Sequence, residues 1–403
     1  MARRAHALTQ ASRCCFVAGL ALTPWLIAQV NTFFALGFLL WLAGGRNGLS
    51  LRELGREPLV RVFVAGFALL TVAAIASPMS AGESFAALLR YRELLLAVPI
   101  VALFRDPAWR DRALLAFAVS GLALATVSSA QWLGLLASPR GPAEAALVLR
   151  HGITHSTVLA TLALVAWLQA ARPTANMPSA FWRIVSLACA ANALLMVPGR
   201  TGYLILSAGL AYAGFRRFGW RGLLAALLAA AVLGSAAYRA SDVFRHRIDA
   251  AVAETLRFAD GEVAPTSAGS RLLFWESSIE LIARQPLFGT GLGSWHDRAA
   301  EVMTPEQRER MLMGHEHPHN ELLHVATQTG ALGVALFLVG LLSIARYAAR
   351  MRGDADLLAV TLVAYAAGSL VNAFLWDSVE GQLFAALAAL AAARIGADSD
   401  TTR

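Results

Sequence analysis

The chain contains no lysine, little charge of either sign and few cysteines. All 34 basic residues are arginine, and charged residues make up 15 % of the sequence, whereas a typical soluble protein has about 25 %. The three cysteines, Cys14, Cys15 and Cys189, lie in apolar runs, so neither a disulfide framework nor a cysteine metal site is expected. The shortage of charge excludes an ordinary soluble protein. The net charge of +8 does not indicate a nucleic-acid partner, because the arginines are spread between apolar runs.

Apolar runs fill most of the sequence. Hydrophobic residues make up 57 % of the 403 residues, and the runs approach the roughly 20 residues that cross a bilayer as a helix. Lipid offers no hydrogen bonds to an open backbone, so every run is expected to be helical. The first run resembles a signal peptide but is interpreted as a span. The sequence predicts an all-α polytopic membrane protein with about 12 transmembrane helices, at residues 14–30, 31–45, 60–77, 92–104, 113–135, 154–171, 183–198, 202–215, 221–238, 331–346, 356–375 and 380–394.

Arginine placement orients the predicted spans. The first loop, residues 46–61, is rich in arginine. If this loop is cytoplasmic, the inner loops together hold more arginine than the outer loops, as the positive-inside rule requires. Both termini are therefore expected in the cytoplasm. This orientation places every histidine except His6 on the outer side.

One outer segment, residues 239–330, is far longer than an ordinary connection. It divides the chain into spans one to nine (residues 1–238), a large outer helical segment with the candidate chemistry (residues 239–330), and spans ten to twelve (residues 331–403). The sequence of residues 241–258 predicts an amphipathic helix, which would either lie on the membrane surface or cap the bundle.

A second helix and a glycine-rich turn follow in the same segment. Ser270 can cap a helix from Arg271 to about Arg284. Residues 287–295 contain three glycines, but no strand precedes them and the lysine of a phosphate loop is absent, so we interpret them as a structural turn. The predicted apolar face of the helix consists of Leu272, Trp275, Ile279 and Ile282.

Four of the nine histidines lie within residues 314–324. Three interpretations are open: a metal site, although the spacing does not match a His-x-x-x-His helical pair; histidines that only form hydrogen bonds at the membrane edge; or a general base, since imidazole exchanges protons near neutral pH. Pro318 suits the first position of a helix, which would put His319 and Asn320 in the first turn, where the helix dipole favours a neutral imidazole. Gly330 would end that helix.

Arginines on the outer side could bind an anionic substrate. Arg200 lies between two apolar spans and Arg271 opens the predicted helix. Guanidinium groups match phosphate oxygens, and lipid headgroups are the alternative partners. Such residues suit transfer from a lipid-phosphate donor, in which a base takes the proton of a hydroxyl and arginines stabilise the departing diphosphate. The further candidate substrate-binding residues are Asn320, Arg90, Arg92 and Arg150.

Three short motifs lie on the predicted outer side. They are His319-Asn320 followed after nine residues by Gly330-Ala331-Leu332-Gly333, then Gly199-Arg200-Thr201-Gly202-Tyr203, and Arg271 and Trp275 with Pro286, Gly289 and Gly291. Together they resemble the bacterial O-antigen ligase family of the O-antigen ligase/polymerase superfamily. The resemblance covers about residues 185–345, and Gly199 stands where relatives often have serine.

The resemblance implies a GT-C-like glycosyltransferase of the bacterial inner membrane. It would transfer a glycan from undecaprenyl diphosphate to the lipid A–core oligosaccharide at the periplasmic face during lipopolysaccharide biosynthesis, with inversion and without a metal or other cofactor. His319 would be the base, and Arg200 and Arg271 would bind the diphosphate. Alternatives are an O-antigen polymerase, a protein O-oligosaccharyltransferase, and a membrane transporter, although transporters usually place ionisable groups at mid-membrane. The resemblance gives His315 and His317 no role.

Overall fold

The computed structural model describes residues 2–25, 27–44, 51–141, 144–149, 151–172, 177–350 and 356–401. These residues form an all-helical structure without strands, as predicted. In chain order the helices are α1 (Ala2–Leu22), α2 (Ile27–Ala43), α3 (Leu51–Leu54), α4 (Pro58–Ile75), α5 (Ala81–Leu89), α6 (Glu93–Leu103), α7 (Pro107–Trp132), α8 (Gly152–Ala170), α9 (Ser179–Leu195), α10 (Arg200–Ala240), α11 (Asp242–Ala259), α12 (Ser267–Arg284), α13 (Trp295–Val302), α14 (Pro305–Gln307), a π-helix (Arg308–Leu312), α15 (Glu321–Arg350), α16 (Asp356–Ser369) and α17 (Ser378–Thr401).

Most predicted spans coincide with helices, or with arms of helices, but the predicted boundary between spans 14–30 and 31–45 is wrong, because α1 ends at Leu22 and α2 begins at Ile27. Among the described residues, five helices are long and apolar enough to cross a membrane: α4, α7, α8, α10 and α15. Four apolar helices are shorter, in α2, α9, α16 and α17. The chain is thus a multispanning helical membrane protein, and the count of 12 spans stays a prediction.

Two long helices are broken at glycines. Gly219 in α10 has φ 61° and ψ −141°, and Gly330 in α15 has φ 63° and ψ −164°, conformations that only glycine adopts readily. A Cβ on Gly214 would lie 2.8 Å from Cβ of Ala226, so the two arms of α10 fold back on each other. These arms are the predicted spans 202–215 and 221–238, and the predicted helix end at Gly330 is confirmed as a break in the helix.

The segment of residues 239–330 has a small core of its own, next to the main core of the bundle. Phe274 of α12 and Trp295 of α13 are fully buried in it, and their rings meet edge to face. The buried face of α12 consists of Gly269, Leu273, Phe274, Ser277, Ser278 and Leu281, whereas Ile279 is exposed. The predicted apolar face was therefore wrong by about one residue, because the helix packs against α13 and the π-helix.

Charged residues collect at the two ends of the bundle. At one end, Asp356 of α16 accepts hydrogen bonds from Arg172, after α8, and Arg216 of α10, at 2.9 and 3.2 Å. At the other end, Gly199 packs so tightly against Gly152 and Ser156 of α8 that a Cβ would overlap both. α8 and the first arm of α10 thus run side by side from this second end, which we call the site end.

Candidate active site

His319 lies at the site end, in the segment that leads into α15. It is the one non-glycine residue with a positive φ, 53°, in the described part of the chain, and such residues are enriched at functional sites. The backbone N–H of His319 donates to Nδ1 of His317 at 3.1 Å. The Pro318 carbonyl accepts a hydrogen bond from Nε1 of Trp275 in α12 at 3.0 Å. These contacts fix the loop that carries the His319 ring.

The predicted helix start at Pro318 is wrong, because α15 begins at Glu321. Asn320 caps it: Oδ1 accepts from the Leu323 N–H at 2.9 Å, and Nδ2 donates to the Leu370 carbonyl at 2.9 Å. The second bond reaches the turn after α16. Both polar groups of the Asn320 side chain are thereby used within the protein, and they hold the His319 loop against that turn.

The hydrogen bonds around His319 define its tautomer. Nδ2 of Asn372 donates to Oδ2 of Asp377 at 2.7 Å, so Oδ1 of Asn372 faces Nδ1 of His319, at 2.9 Å. An amide oxygen only accepts, so Nδ1 of His319 carries the proton. The lone pair of the neutral ring is then on Nε2, which is the arrangement that a general base requires.

Burial and positive neighbours keep the His319 imidazole neutral. Burial, followed by the nearby His317 and Arg271, lowers the pKa of His319 to about 3, while the bond to Asn372 opposes the shift. The neutral form was predicted from a helix dipole. The structure gives a different cause, because His319 precedes the helix.

Asp377 anchors the network from the turn between α16 and α17. Its Oδ1 lies 3.4 Å from Nε2 of His317. Burial alone would raise the pKa of Asp377, but His317 and the hydrogen bond from Asn372 outweigh it and lower the pKa. The carboxylate therefore stays charged and orients both His317 and Asn372.

Three arginines form a second group at the site end. Arg200 begins α10, Arg247 lies in α11 and Arg271 in α12. The charges lie close together, because, after burial, Arg200 lowers the pKa of Arg247, and Arg200 and Arg247 lower the pKa of Arg271. Nε of each arginine is buried without a hydrogen-bond partner. Of the three, only Arg200 forms an ion pair within the described residues, with Glu254 at 3.5 Å.

The arginine group is positive and only partly neutralised. Burial, followed by Arg200 and Arg247, lowers the pKa of Arg271 to about 10, and Glu254 opposes the shift. Nη1 of Arg271 donates to the carbonyl and the hydroxyl of Ser267, at 2.7 and 2.6 Å. Buried guanidinium groups with spare N–H groups and mutual repulsion favour a bound anion.

α12 connects the arginine group to the histidines. It begins at Ser267 with Thr266 as its cap, so the prediction that Ser270 caps a helix starting at Arg271 was wrong by one turn. Arg271 and Phe274 are three residues apart and share a helix face. The Phe274 ring stacks 6.3 Å from the His319 ring and lies 5.1 Å from the His315 ring.

The other predicted binding residues lie at the margin of the site or away from it. Arg90 pairs with Glu316 beside the histidines and lies 5.3 Å from the Trp376 ring. Arg92 donates to Asn31 of α2 at 2.6 Å and to the Leu89 carbonyl at 2.7 Å, so it stabilises the bundle. Arg150 lies outside the described residues.

Sequence reasoning missed Arg247, Asn372 and Asp377. Arg247 was assigned only to an amphipathic helix, although it follows Phe244 by three residues and so lies on the face that packs inward. Asn372 and Asp377 were assigned to a span and its end, but α16 already ends at Ser369. Polar residues at the end of an apolar run were the available signal.

The glycine-rich turn docks onto the break in α15. The Thr290 N–H donates to the Thr327 carbonyl at 2.6 Å, and the Ala331 N–H donates to the Pro286 carbonyl at 2.8 Å. Gly289 has φ 70°, and a Cβ on it would lie 2.6 Å from the Thr327 oxygen. The interpretation as a structural turn agrees with these contacts, which hold α15 beside α12.

The site therefore combines a buried arginine group with an oriented, neutral histidine at one end of a multispanning helical bundle. Within the described residues, no group of three or more His, Cys, Asp or Glu side chains is arranged to hold a metal ion. Residues 185–338 match the family model Wzy_C, described as O-Antigen ligase. The match supports, for this part of the chain, the O-antigen ligase family that the motifs predict. No curated protein matches the chain.

Proposed function

We propose that the protein transfers a glycan from undecaprenyl diphosphate to the lipid A–core oligosaccharide at the periplasmic face of the bacterial inner membrane. One observation carries the proposal: Arg271 and Phe274 share one face of α12, and the Phe274 ring packs against His319. The reaction needs, within one site, positive charge for the departing diphosphate and a base for the acceptor hydroxyl. The family match supports a membrane glycosyltransferase of the ligase/polymerase superfamily.

In the proposed reaction, the acceptor hydroxyl oxygen attacks the anomeric carbon of the donor glycan from the side opposite the diphosphate. The bond between that carbon and the diphosphate oxygen breaks, and the electron pair leaves with undecaprenyl diphosphate. Arg200, Arg247 and Arg271 stabilise the departing charge. The hydroxyl proton passes to the imidazole base at His319. The chain's own residues thus supply base and anion binding, with inversion at the anomeric carbon.

Donor binding would also strengthen the base. The positive charge of Arg271 contributes to the lowered pKa of His319. A diphosphate bound at the arginine group offsets that charge, so the pKa of His319 rises towards its usual value when donor is present. The base therefore gains proton affinity in the complex in which it has to act.

The acceptor distinguishes this reaction from that of an O-antigen polymerase or a protein O-oligosaccharyltransferase, which would use the same donor chemistry. We expect purified protein in lipid nanodiscs to transfer glycan from undecaprenyl diphosphate to lipid A–core. A second donor molecule and an acceptor protein are offered in parallel. Transfer of glycan to the second donor instead would indicate a polymerase. If no transfer occurs, but vesicles that contain the protein move donor across their membrane, the protein is a transporter.

The arginine group is tested with a matched pair of variants on α12. Arg271→Ala should lower transfer by about 10²–10³-fold, because one stabiliser of the developing negative charge is lost. Arg284→Ala is the control, since Arg284 is exposed and pairs with Glu280 on the same helix. Arg247→Ala should also impair donor use. Equal rates for Arg271→Ala and Arg284→Ala would disprove the assignment.

His319→Ala should lower the transfer rate by about 10²–10⁴-fold while the protein remains folded in the membrane. Capping of lipid A–core is measured in cells that carry only the variant and with the purified protein. His246→Ala is the control, because His246 lies exposed on α11. Normal capping by His319→Ala would exclude this residue from the reaction.

A further inference from the structure

His315 contacts Nε2 of His319, the ring nitrogen that carries the lone pair. Nδ1 of His315 lies 3.1 Å from Nε2 of His319, and the two rings meet edge to face with centroids 5.2 Å apart. The opposite nitrogen of His319 is bound to Asn372. Both nitrogens of His319 are therefore occupied by protein groups before any substrate arrives.

The same hydrogen bonds fix the tautomer of His315. Because Nδ1 of His319 carries its proton, Nε2 can only accept, and Nδ1 of His315 must be the donor. The lone pair of neutral His315 is then on its own Nε2. No hydrogen bond to that atom is formed within the described residues, and the side chain is only partly buried. The open basic nitrogen of the pair thus belongs to His315.

The ring of His315 is held in this orientation from two sides. Nδ1 of His296 lies 2.7 Å from the His315 carbonyl oxygen and, as the donor, anchors the backbone. The Phe274 ring packs at 5.1 Å. His317 cannot take the same role, because its nitrogens face the His319 N–H and Asp377. His324 is fully buried.

We propose that His315, and not His319, contacts the acceptor hydroxyl, and that the two imidazoles act as one relay. As the hydroxyl oxygen bonds to the anomeric carbon, its proton passes to Nε2 of His315, and the proton on Nδ1 of His315 passes to Nε2 of His319. One proton leaves the hydroxyl and one is gained by His319, which ends as an imidazolium. The departing diphosphate takes the electron pair of the broken bond. This inference rests on the proposed function.

His315→Asn separates a relay from a merely positioning contact. An asparagine amide can place an N–H donor near the location of Nδ1, so the hydrogen bond to His319 can be kept, while the basic Nε2 is removed. We expect transfer by purified His315→Asn to fall by about 10²-fold or more. His246→Asn, the same substitution on the exposed face of α11, should leave the rate within about twofold of the wild type.

The double variant His315→Asn with His319→Ala tests the relay in a second way. Residues that act as one unit show non-additive losses, so His315→Asn with His319→Ala should be about as slow as His319→Ala alone. Multiplying losses would indicate two independent roles and overturn the relay. If His315→Asn does not fold, His315→Gln replaces it, since a glutamine amide cannot take up the proton either.

Two failures are distinguishable in the same assay. Transfer by the wild type and by His315→Asn at similar rates would overturn the relay and leave the proposed function standing. No transfer by the wild type to lipid A–core would overturn the proposed function and the relay with it. The wild-type reaction is therefore run first, with lipid A–core, a second donor and an acceptor protein.

Discussion

At the scale of single residues, the site depends on tautomers and charges set by its neighbours. Asp377 orients Asn372, and Asn372 orients His319, through bonds of 2.7 and 2.9 Å. The first bond fixes which amide atom of Asn372 faces His319, and the second bond places the His319 proton on Nδ1. The electrostatic environment acts in the same direction, since burial, His317 and Arg271 disfavour an imidazolium at His319. His319 is thus held neutral, with its lone pair on Nε2, as the proposed base role requires.

The lowered pKa gives a testable pH dependence. A histidine whose pKa is depressed stays neutral until the pH falls through the depressed value, so the base form is retained between pH 8 and pH 5. Burial, His315, His317 and Arg271 all lower the pKa of His319, and only the bond to Asn372 raises it. We therefore expect kcat/KM to hold its plateau well below pH 6.5, the usual pKa of histidine.

The measurement is a pH profile of kcat/KM with the purified protein. Samples held at pH 5 and assayed at neutral pH serve as the control for acid inactivation. A reversible loss of activity centred near pH 6.5 would contradict the burial-induced shift.

At the scale of elements, two glycine-containing segments hold the helices of the candidate site together. The turn of residues 287–295 bonds to the backbone on either side of Gly330. A Cβ on Gly330 would overlap the Leu287 backbone, and the φ of 63° is already unfavourable for other residues. The spacing from His319 to Gly330 in the motif therefore reflects where α15 must break to receive this turn.

Gly330→Ala should destabilise the protein and reduce transfer. Backbone strain alone costs about 1–3 kcal/mol, and the overlap with Leu287 adds to it. Gly234→Ala is the matched control, because Gly234 lies within a helix arm and a Cβ there meets no atom within 4 Å. Thermal unfolding in detergent measures both. A melting temperature for Gly330→Ala equal to that of Gly234→Ala would show that the docked turn is unimportant.

The sequence was a good guide to the helices and a poorer guide to their contacts. Apolar runs and breaking glycines are local signals, so Gly219 and Gly330 separate helix arms where predicted. The start of α15 could not be predicted, because Pro318 suits the first helical position as well as the preceding loop. The choice is made by the bonds of Asn320 to Leu370 and of Trp275 to Pro318, which join distant parts of the chain.

The candidate site shows the same division. His319, Arg200 and Arg271 were found from motifs, and the structure brings them to one end of the bundle. Arg247 and Asn372 were missed because their relevance depends on which helices become neighbours. The partner of His319 among the nearby histidines was likewise open, since spacing alone does not reveal the 3.1 Å contact of His315.

At the scale of the whole molecule, the bundle has two chemically different ends. The site end holds the arginine group and the histidines, and the opposite end holds Asp356 with Arg172 and Arg216. Arginine-rich loops predict that the opposite end faces the cytoplasm. The proposed reaction needs the site end on the periplasmic side. The arginine distribution and the proposed reaction therefore predict the same orientation of the bundle.

Cysteine labelling tests this orientation. Cys14, Cys15 and Cys189 are first replaced by alanine, and Met313→Cys and Arg217→Cys are introduced separately. Met313 is 79 % exposed beside the histidine loop, and Arg217 lies exposed near the Gly219 break. A membrane-impermeant maleimide should label Met313→Cys in spheroplasts and Arg217→Cys only after lysis. The reverse pattern would invert the proposed topology.

The position of Asn372 bears on how this domain can be divided or transplanted. The family match ends at residue 338, yet the groups that orient the His319 proton lie in the turn between the last two helices. A fragment confined to the matched region would keep every motif named above and lose the groups that fix the tautomer of His319. The matched segment therefore does not contain the whole candidate site, and a chimera that exchanges it must include the C-terminal helical hairpin.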